Sequence, residues 1–106
     1  MTTNVENLDE LARINQKILA QGESLPTVRL KDGTTVQTGT IATLLHNINL
    51  YNISKSEKIQ NELKSAIPTL FKVGLFDLFP PEEWLTTTNE GRKFVGKAAL
   101  EYLGKL

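Results

Sequence analysis

The stretch LPTVRLKDGTTVQTG, residues 25–39, decides the class of fold. Val28 and Leu30 alternate with Thr27, Arg29 and Lys31, the period of two that marks a half-buried strand. Thr34, Thr35 and Val36 read as a second strand beyond Asp32-Gly33. An Asp-Gly pair supplies both positive-φ positions of a type I′ turn at low cost, so the segment is expected as an antiparallel hairpin. Two strands alone are marginal in water, and Val28, Leu30 and Val36 therefore need helices or a third strand to pack against.

On either side of the hairpin the apolar spacing is helical. Leu8, Leu11, Ala12, Ile18 and Leu19 recur at three- and four-residue steps, with Asn7 and Glu10 as a capping-box pair and Gly22 as the stop. Residues 1–7 are polar and expected to fray. After Gly39, Ile41, Leu44, Leu45 and Ile48 fall at i, i+3, i+4 and i+7, with Thr40 as cap. Ser54 and Glu57 open a longer helix that carries Ile59, Leu63, Ala66, Ile67, Leu70 and Phe71 on one side. Pro68 inside that run predicts a kink or two successive helices.

Gly74 closes the run, and LFDLFPPEEWLTTT, residues 75–88, lacks a helical pattern. Pro80-Pro81 excludes a central strand there and leaves room for short edge strands around Leu75-Phe76 and Trp84-Leu85. Thr87 and Glu90 then open a last helix with Phe94, Val95, Ala98, Ala99 and Tyr102 inward and Lys93, Lys97 and Leu100 outward. Gly91 and Gly96 weaken this helix by about 1 kcal/mol each relative to alanine, so tertiary packing must carry it. The fold class is α+β: one small, mainly helical domain over residues 1–106 with a β-hairpin in its N-terminal half.

Composition narrows the function. The 106 residues are 40% apolar and 23% charged, and twelve bases balance twelve acids, so no net field steers the molecule toward nucleic acid or anionic lipid. Without cysteine there are no disulfides and no thiolate metal sites. No eighteen-residue apolar run and no basic-then-apolar leader occur, and the expected location is the cytoplasm. Neither a Cys/His pair nor a zinc-protease or phosphate-loop motif is present, so no enzymatic chemistry, cofactor or metal is expected.

Charge is uneven along the chain. Residues 74–90 hold Asp77, Glu82, Glu83 and Glu90 and no base, a balance of −4. Four of the seven aromatics, Phe71, Phe76, Phe79 and Trp84, fall in or beside this stretch. They read as core or as a recognition site of Phe76, Phe79 and Trp84 rimmed by Asp77, Glu82 and Glu83, with Trp84 as its anchor. His46 lies about 150° from the centre of its helix's apolar stripe and should face outward with Leu50 beyond it. Asn15 falls inside the apolar arc of the first helix, where a buried amide must find partners, most simply on the hairpin or a loop.

The order of helices up to Val73-Gly74-Leu75-Phe76, then Trp84-Leu85 and the run TTTNEGRKFVGKAALEYL, residues 86–103, resembles the second half of a winged-helix domain over roughly residues 41–103. The resemblance implies a wing around Asp77–Glu83 and nucleic-acid contacts from Lys55, Lys58, Lys64 and Lys72. The carboxylates of the implied wing repel phosphate, however, and Glu57 and Glu62 partly cancel the lysines. The expected role is therefore a non-enzymatic interaction or regulatory domain whose partner is another protein or a second copy. Winged-helix-type nucleic-acid binding is the alternative.

Overall fold

A computed structural model describes residues 3–105. Strand β1 (Thr3–Asn4) leads into helix α1 (Leu8–Ile14), which tightens to a 3₁₀ turn over Asn15–Ile18. Strands β2 (Thr27–Arg29) and β3 (Thr34–Gln37) form the hairpin, followed by helices α2 (Thr40–Ile53) and α3 (Glu57–Lys72). A short helix α4 (Leu75–Leu78), a 3₁₀ segment Pro81–Thr86 and helix α5 (Glu90–Tyr102) complete the chain. The architecture is α+β and mainly helical, with a three-stranded sheet in the order β1-β3-β2.

The hairpin pairs Thr27 with Gln37, Val28 with Val36 and Arg29 with Thr35. Its turn differs from the expected type. Only Gly33 has positive φ (91°), and Asp32 instead accepts a hydrogen bond from the Thr34 N–H at 2.9 Å. Leu30 N–H donates to Thr34 C=O and Gly33 N–H to Leu30 C=O, the pattern of a three-residue loop with glycine in the left-handed position. Asp32 also pairs with Lys72 at the end of α3 and fastens the hairpin tip to that helix. The expected packing holds for Val36, which is buried, while Val28 directly opposite is 42% exposed because β2 is an outer strand.

The N-terminus is not frayed from Thr3 onward; the first two residues lie outside the described part. Thr3 and Asn4 pair in parallel with Thr34 and Thr35, Val5 N–H bonds to Thr35 C=O at 2.9 Å, and the Val5 side chain is buried. This is the third strand the hairpin needs. The first helix is also shorter than its spacing suggests and stops well before Gly22. Its expected capping box is absent because both members are used elsewhere: Asn7 takes φ 67° and donates to Ser65 C=O, and Glu10 accepts from the Ser65 hydroxyl. Asn15 behaves as anticipated. It is fully buried and donates to Thr38 C=O at 3.1 Å and Thr40 Oγ1 at 3.2 Å, joining the end of α1 to the chain entering α2.

Helix α2 is turned from its expected orientation. Thr40, Thr43, Leu44, Asn47 and Ile48 are buried, whereas Ile41 and Leu45 are 45% and 59% exposed. The cause is a polar cluster between helices: Lys17 donates to Asn47 Oδ1 and pairs with Glu62, and Asn47 Nδ2 donates to the same carboxylate at 3.2 Å. A largely buried ion pair is tolerated only with such added hydrogen bonds, and these fix Asn47 inward. Gly39, at φ 87°, occupies the N-cap position that Thr40 was expected to take.

Helix α3 is capped by Ser56, whose hydroxyl accepts from Ile59 N–H, two residues beyond the expected Ser54. It passes through Pro68 as one helix and buries Leu63, Ala66, Ile67 and Leu70 as its spacing indicates. The segment after Gly74 is helical, so the edge strands anticipated at Leu75-Phe76 and Trp84-Leu85 do not form. Asn89, rather than Thr87, caps α5 by accepting from Arg92 N–H at 2.9 Å. Leu100 faces inward and is buried, contrary to its expected outward position. Tyr102 is 47% exposed and donates from its hydroxyl to Glu6 at 3.0 Å, tying the last helix to the first residues.

The two glycines of α5 have a stronger reason than helix propensity would allow. A Cβ on Gly91 would lie 2.6 Å from the Ile48 carbonyl oxygen, and one on Gly96 would lie 2.7 Å from Trp84 Cβ and 3.0 Å from Pro81 C=O. Propensity alone credits alanine with about 1 kcal/mol in a helix. The contacts reverse that sign: Gly91→Ala and Gly96→Ala should each destabilise by about 1–3 kcal/mol, read as a lower urea midpoint at unchanged m-value.

Asp32 gives a second expectation. Hydrogen bonds from Lys72 and then from Thr34 lower its carboxyl pKa to about 2. A depressed acid contributes its stabilisation above the unfolded-state pKa, about 3.9, and loses it as pH falls through the folded-state value. Stability measured from pH 5 downward should therefore decline less steeply in Asp32→Asn than in the parent.

Candidate functional site

The outward turn of Ile41 and Leu45 leaves α2 with an apolar face that no element covers. Together with Leu44 and Ile48 they form one wall of an open groove of about 520 Å³. Leu75 and Phe79 from the α4 region and Trp84 from the 3₁₀ segment form the other, while Asn49, Asn89 and Arg92 supply the polar margin. The volume falls within the range typical of binding clefts.

The opposite wall is held in place by aromatic packing. Trp84 is buried, its indole N–H donates to Phe79 C=O at 3.0 Å, and its ring meets Phe76 edge-on with centroids 5.4 Å apart. Phe76 packs on Phe71 at 4.6 Å, and Phe71 stacks on Tyr102 at 5.5 Å. The Arg92 guanidinium lies over the Trp84 ring, 5.5 Å from its centroid, within cation–π range. No salt bridge engages Arg92 among the described residues. Among the described residues it is also the only ionisable group lining the groove.

The six residues singled out from sequence separate into three groups. Phe76 belongs to the core and, at 4% exposure, offers a partner almost no surface. Phe79, 45% exposed, and Trp84 line the groove. Asp77, Glu82 and Glu83 are exposed on the same α4–3₁₀ stretch but outside the lining. Ile41, Leu45 and Arg92 were missed as site residues. The spacing places the two aliphatics in the core stripe of α2, and the signal against that reading is that Leu50 and Ile53 extend the apolar positions of the same helix beyond one stripe.

The four lysines named for nucleic acid have different neighbours. Lys72 pairs with Asp32 at the hairpin tip, Lys55 pairs with Glu90 at 2.5 Å, Lys58 is exposed on α3, and Lys64 lies over the Phe94 ring. His46 is exposed as expected, and Leu50 is half-buried. Among the described residues no group of three or more His, Cys, Asp or Glu side chains could hold a metal ion. No described helix is long and apolar enough to cross a membrane.

The chain belongs to a family described as a domain of unknown function (DUF7709), whose model matches residues 9–103. That match takes in α1 except its first residue, everything from there through α5, and every residue of the groove. No curated protein and no solved structure matches the chain.

The two groove aromatics should respond differently to truncation. Trp84→Ala empties a packed, hydrogen-bonded site and should cost about 3–5 kcal/mol in denaturant unfolding. Phe79→Ala, at a half-exposed position, should cost less than about 1.5 kcal/mol and leave a folded protein for binding studies.

Proposed function

We propose that this is a non-enzymatic protein-interaction domain whose groove receives the apolar face of a partner helix. The observation that carries this reading is convergence: Ile41, Leu45 and Phe79, at 45%, 59% and 45% exposure, point into one concavity instead of being scattered. Isolated exposed aliphatics need no explanation, whereas a contiguous set around a buried tryptophan is the usual composition of an interface centre. The lining offers no proton donor or acceptor that titrates near neutrality, so the groove is suited to holding a ligand rather than transforming one.

Charge specifies the partner further. The free guanidinium of Arg92, ordered over Trp84, fits a carboxylate placed beside the partner's apolar anchors. Asp77, Glu82 and Glu83 outside the lining favour basic residues on the flank that crosses α4. An amphipathic helix with anchors at i, i+3 or i+4 and i+7, one acidic edge and one basic edge meets both conditions.

The test places a photoreactive phenylalanine analogue at Leu45 and, as a control, at Val28, which is also exposed but lies outside the groove. A discrete protein adduct should form from position 45 alone. The identified partner, purified, should bind the parent and lose at least about tenfold in affinity to Leu45→Glu and to Arg92→Gln. Concentration-dependent sedimentation that disappears in Leu45→Glu would identify a second copy as the partner. Equal adducts from both positions, or rebinding unaffected by Leu45→Glu, would refute the groove as the binding site.

A further inference from the structure

A second surface shares α2 and α5 with the groove but none of its residues. Tyr51 near the end of α2 and Phe94 on α5 pack with ring centroids 5.0 Å apart and remain half-buried. Lys55 holds its ammonium 5.8 Å from the Tyr51 centroid, and Lys64 from α3 does the same over Phe94. Lys93 and Lys97, one helical turn apart, line the same depression of about 300 Å³ as the two rings.

One carboxylate lines it. Glu90 is engaged by Lys55, and Lys64, Lys93 and Lys97 have no salt bridge among the described residues. In a molecule with equal numbers of acids and bases, three unpaired cations around two aromatic rings are a local concentration of one sign. Part of it works against the helix that carries it. Lys93 stands near the N-terminal end of α5, where the helix dipole disfavours a cation, and Lys93 and Lys97 repel each other at i, i+4.

We infer that this surface binds single-stranded nucleic acid, with phosphates on Lys64, Lys93 and Lys97 and a base against the Tyr51–Phe94 pair. Cationic side chains interleaved with aromatic rings are what such ligands require: the lysines follow the backbone and the rings accept any base. The ammonium groups beside the rings sit at the ends of flexible stems and can move aside for a base. This surface shares Lys55 and Lys64 with the implied winged-helix contacts and differs from them in drawing on Lys93, Lys97 and the Tyr51–Phe94 pair and in not using Lys58 or Lys72.

The test uses fluorescence anisotropy of a labelled oligothymidylate with the full chain at low salt. A chain of the same phosphate count lacking bases is the competitor. Three phosphate contacts predict a slope of log K against log salt of about −2, falling to about −0.7 in Lys93→Gln/Lys97→Gln. The base-free competitor should bind about tenfold more weakly, because the stacking contribution is lost. Leu45→Glu in the groove should leave oligonucleotide affinity unchanged, so failure here and failure of the groove reading are separate results. Absence of binding at low salt, equal affinity for the base-free chain, or an unchanged salt slope in the double variant would each overturn the inference. Equal affinity would show a general polyanion surface instead.

Discussion

The close approach of α5 to its neighbours is the constraint on which the rest depends. Gly91 lets the start of α5 press against the Ile48 carbonyl, and Gly96 lets its middle press against Trp84 and Pro81. A side chain at either position would push α5 away from α2 or from the 3₁₀ segment. Both walls of the groove are set by these two contacts: Ile48 belongs to one and Trp84 to the other. The same approach brings Phe94 against Tyr51 and so creates the aromatic pair on the second surface. Residues that look like weaknesses in a helix read alone are what position both candidate sites.

Local signals carried most of the fold. Alternation at Val28, Leu30 and Val36 found the hairpin, and three- and four-residue steps found α1, α2, α3 and α5. The periodicity also identified Leu63, Ala66, Ile67 and Leu70 as core. The errors arose where a residue had a distant partner. Asn7 and Glu10 have the types and spacing of a capping box, but Ser65, more than fifty positions away, takes both side chains. Thr3 and Asn4 carry no apolar pattern; their order comes from backbone pairing with β3, which composition does not reveal. Residues 75–86 were misread because short helical turns anchored by Phe76 and Trp84 leave no sustained period.

The candidate site was legible in part for the same reason. Phe79 and Trp84 were found by their density along the chain, and Phe76 was included because density does not distinguish a buried ring from one at a margin. Ile41 and Leu45 were hidden inside a stripe that looked like core. What turned them outward is the polar cluster of Lys17, Asn47 and Glu62, whose members lie on three separate elements. A buried amide and ion pair have a geometry to satisfy, and the helix rotated to satisfy it. The apolar side chains displaced by that rotation became the groove wall.

The order β1-β3-β2 leaves two- and three-residue strands at the sheet margins, with Pro26 immediately before β2 and Arg29 at its end. Proline lacks a donor, and a charged residue on so short an edge discourages another backbone from docking there. The sheet is accordingly a poor template for strand addition or for fibrillar growth. Both proposed binding surfaces accordingly lie on side chains of the helical half, while the sheet serves to hold the chain's beginning and middle together.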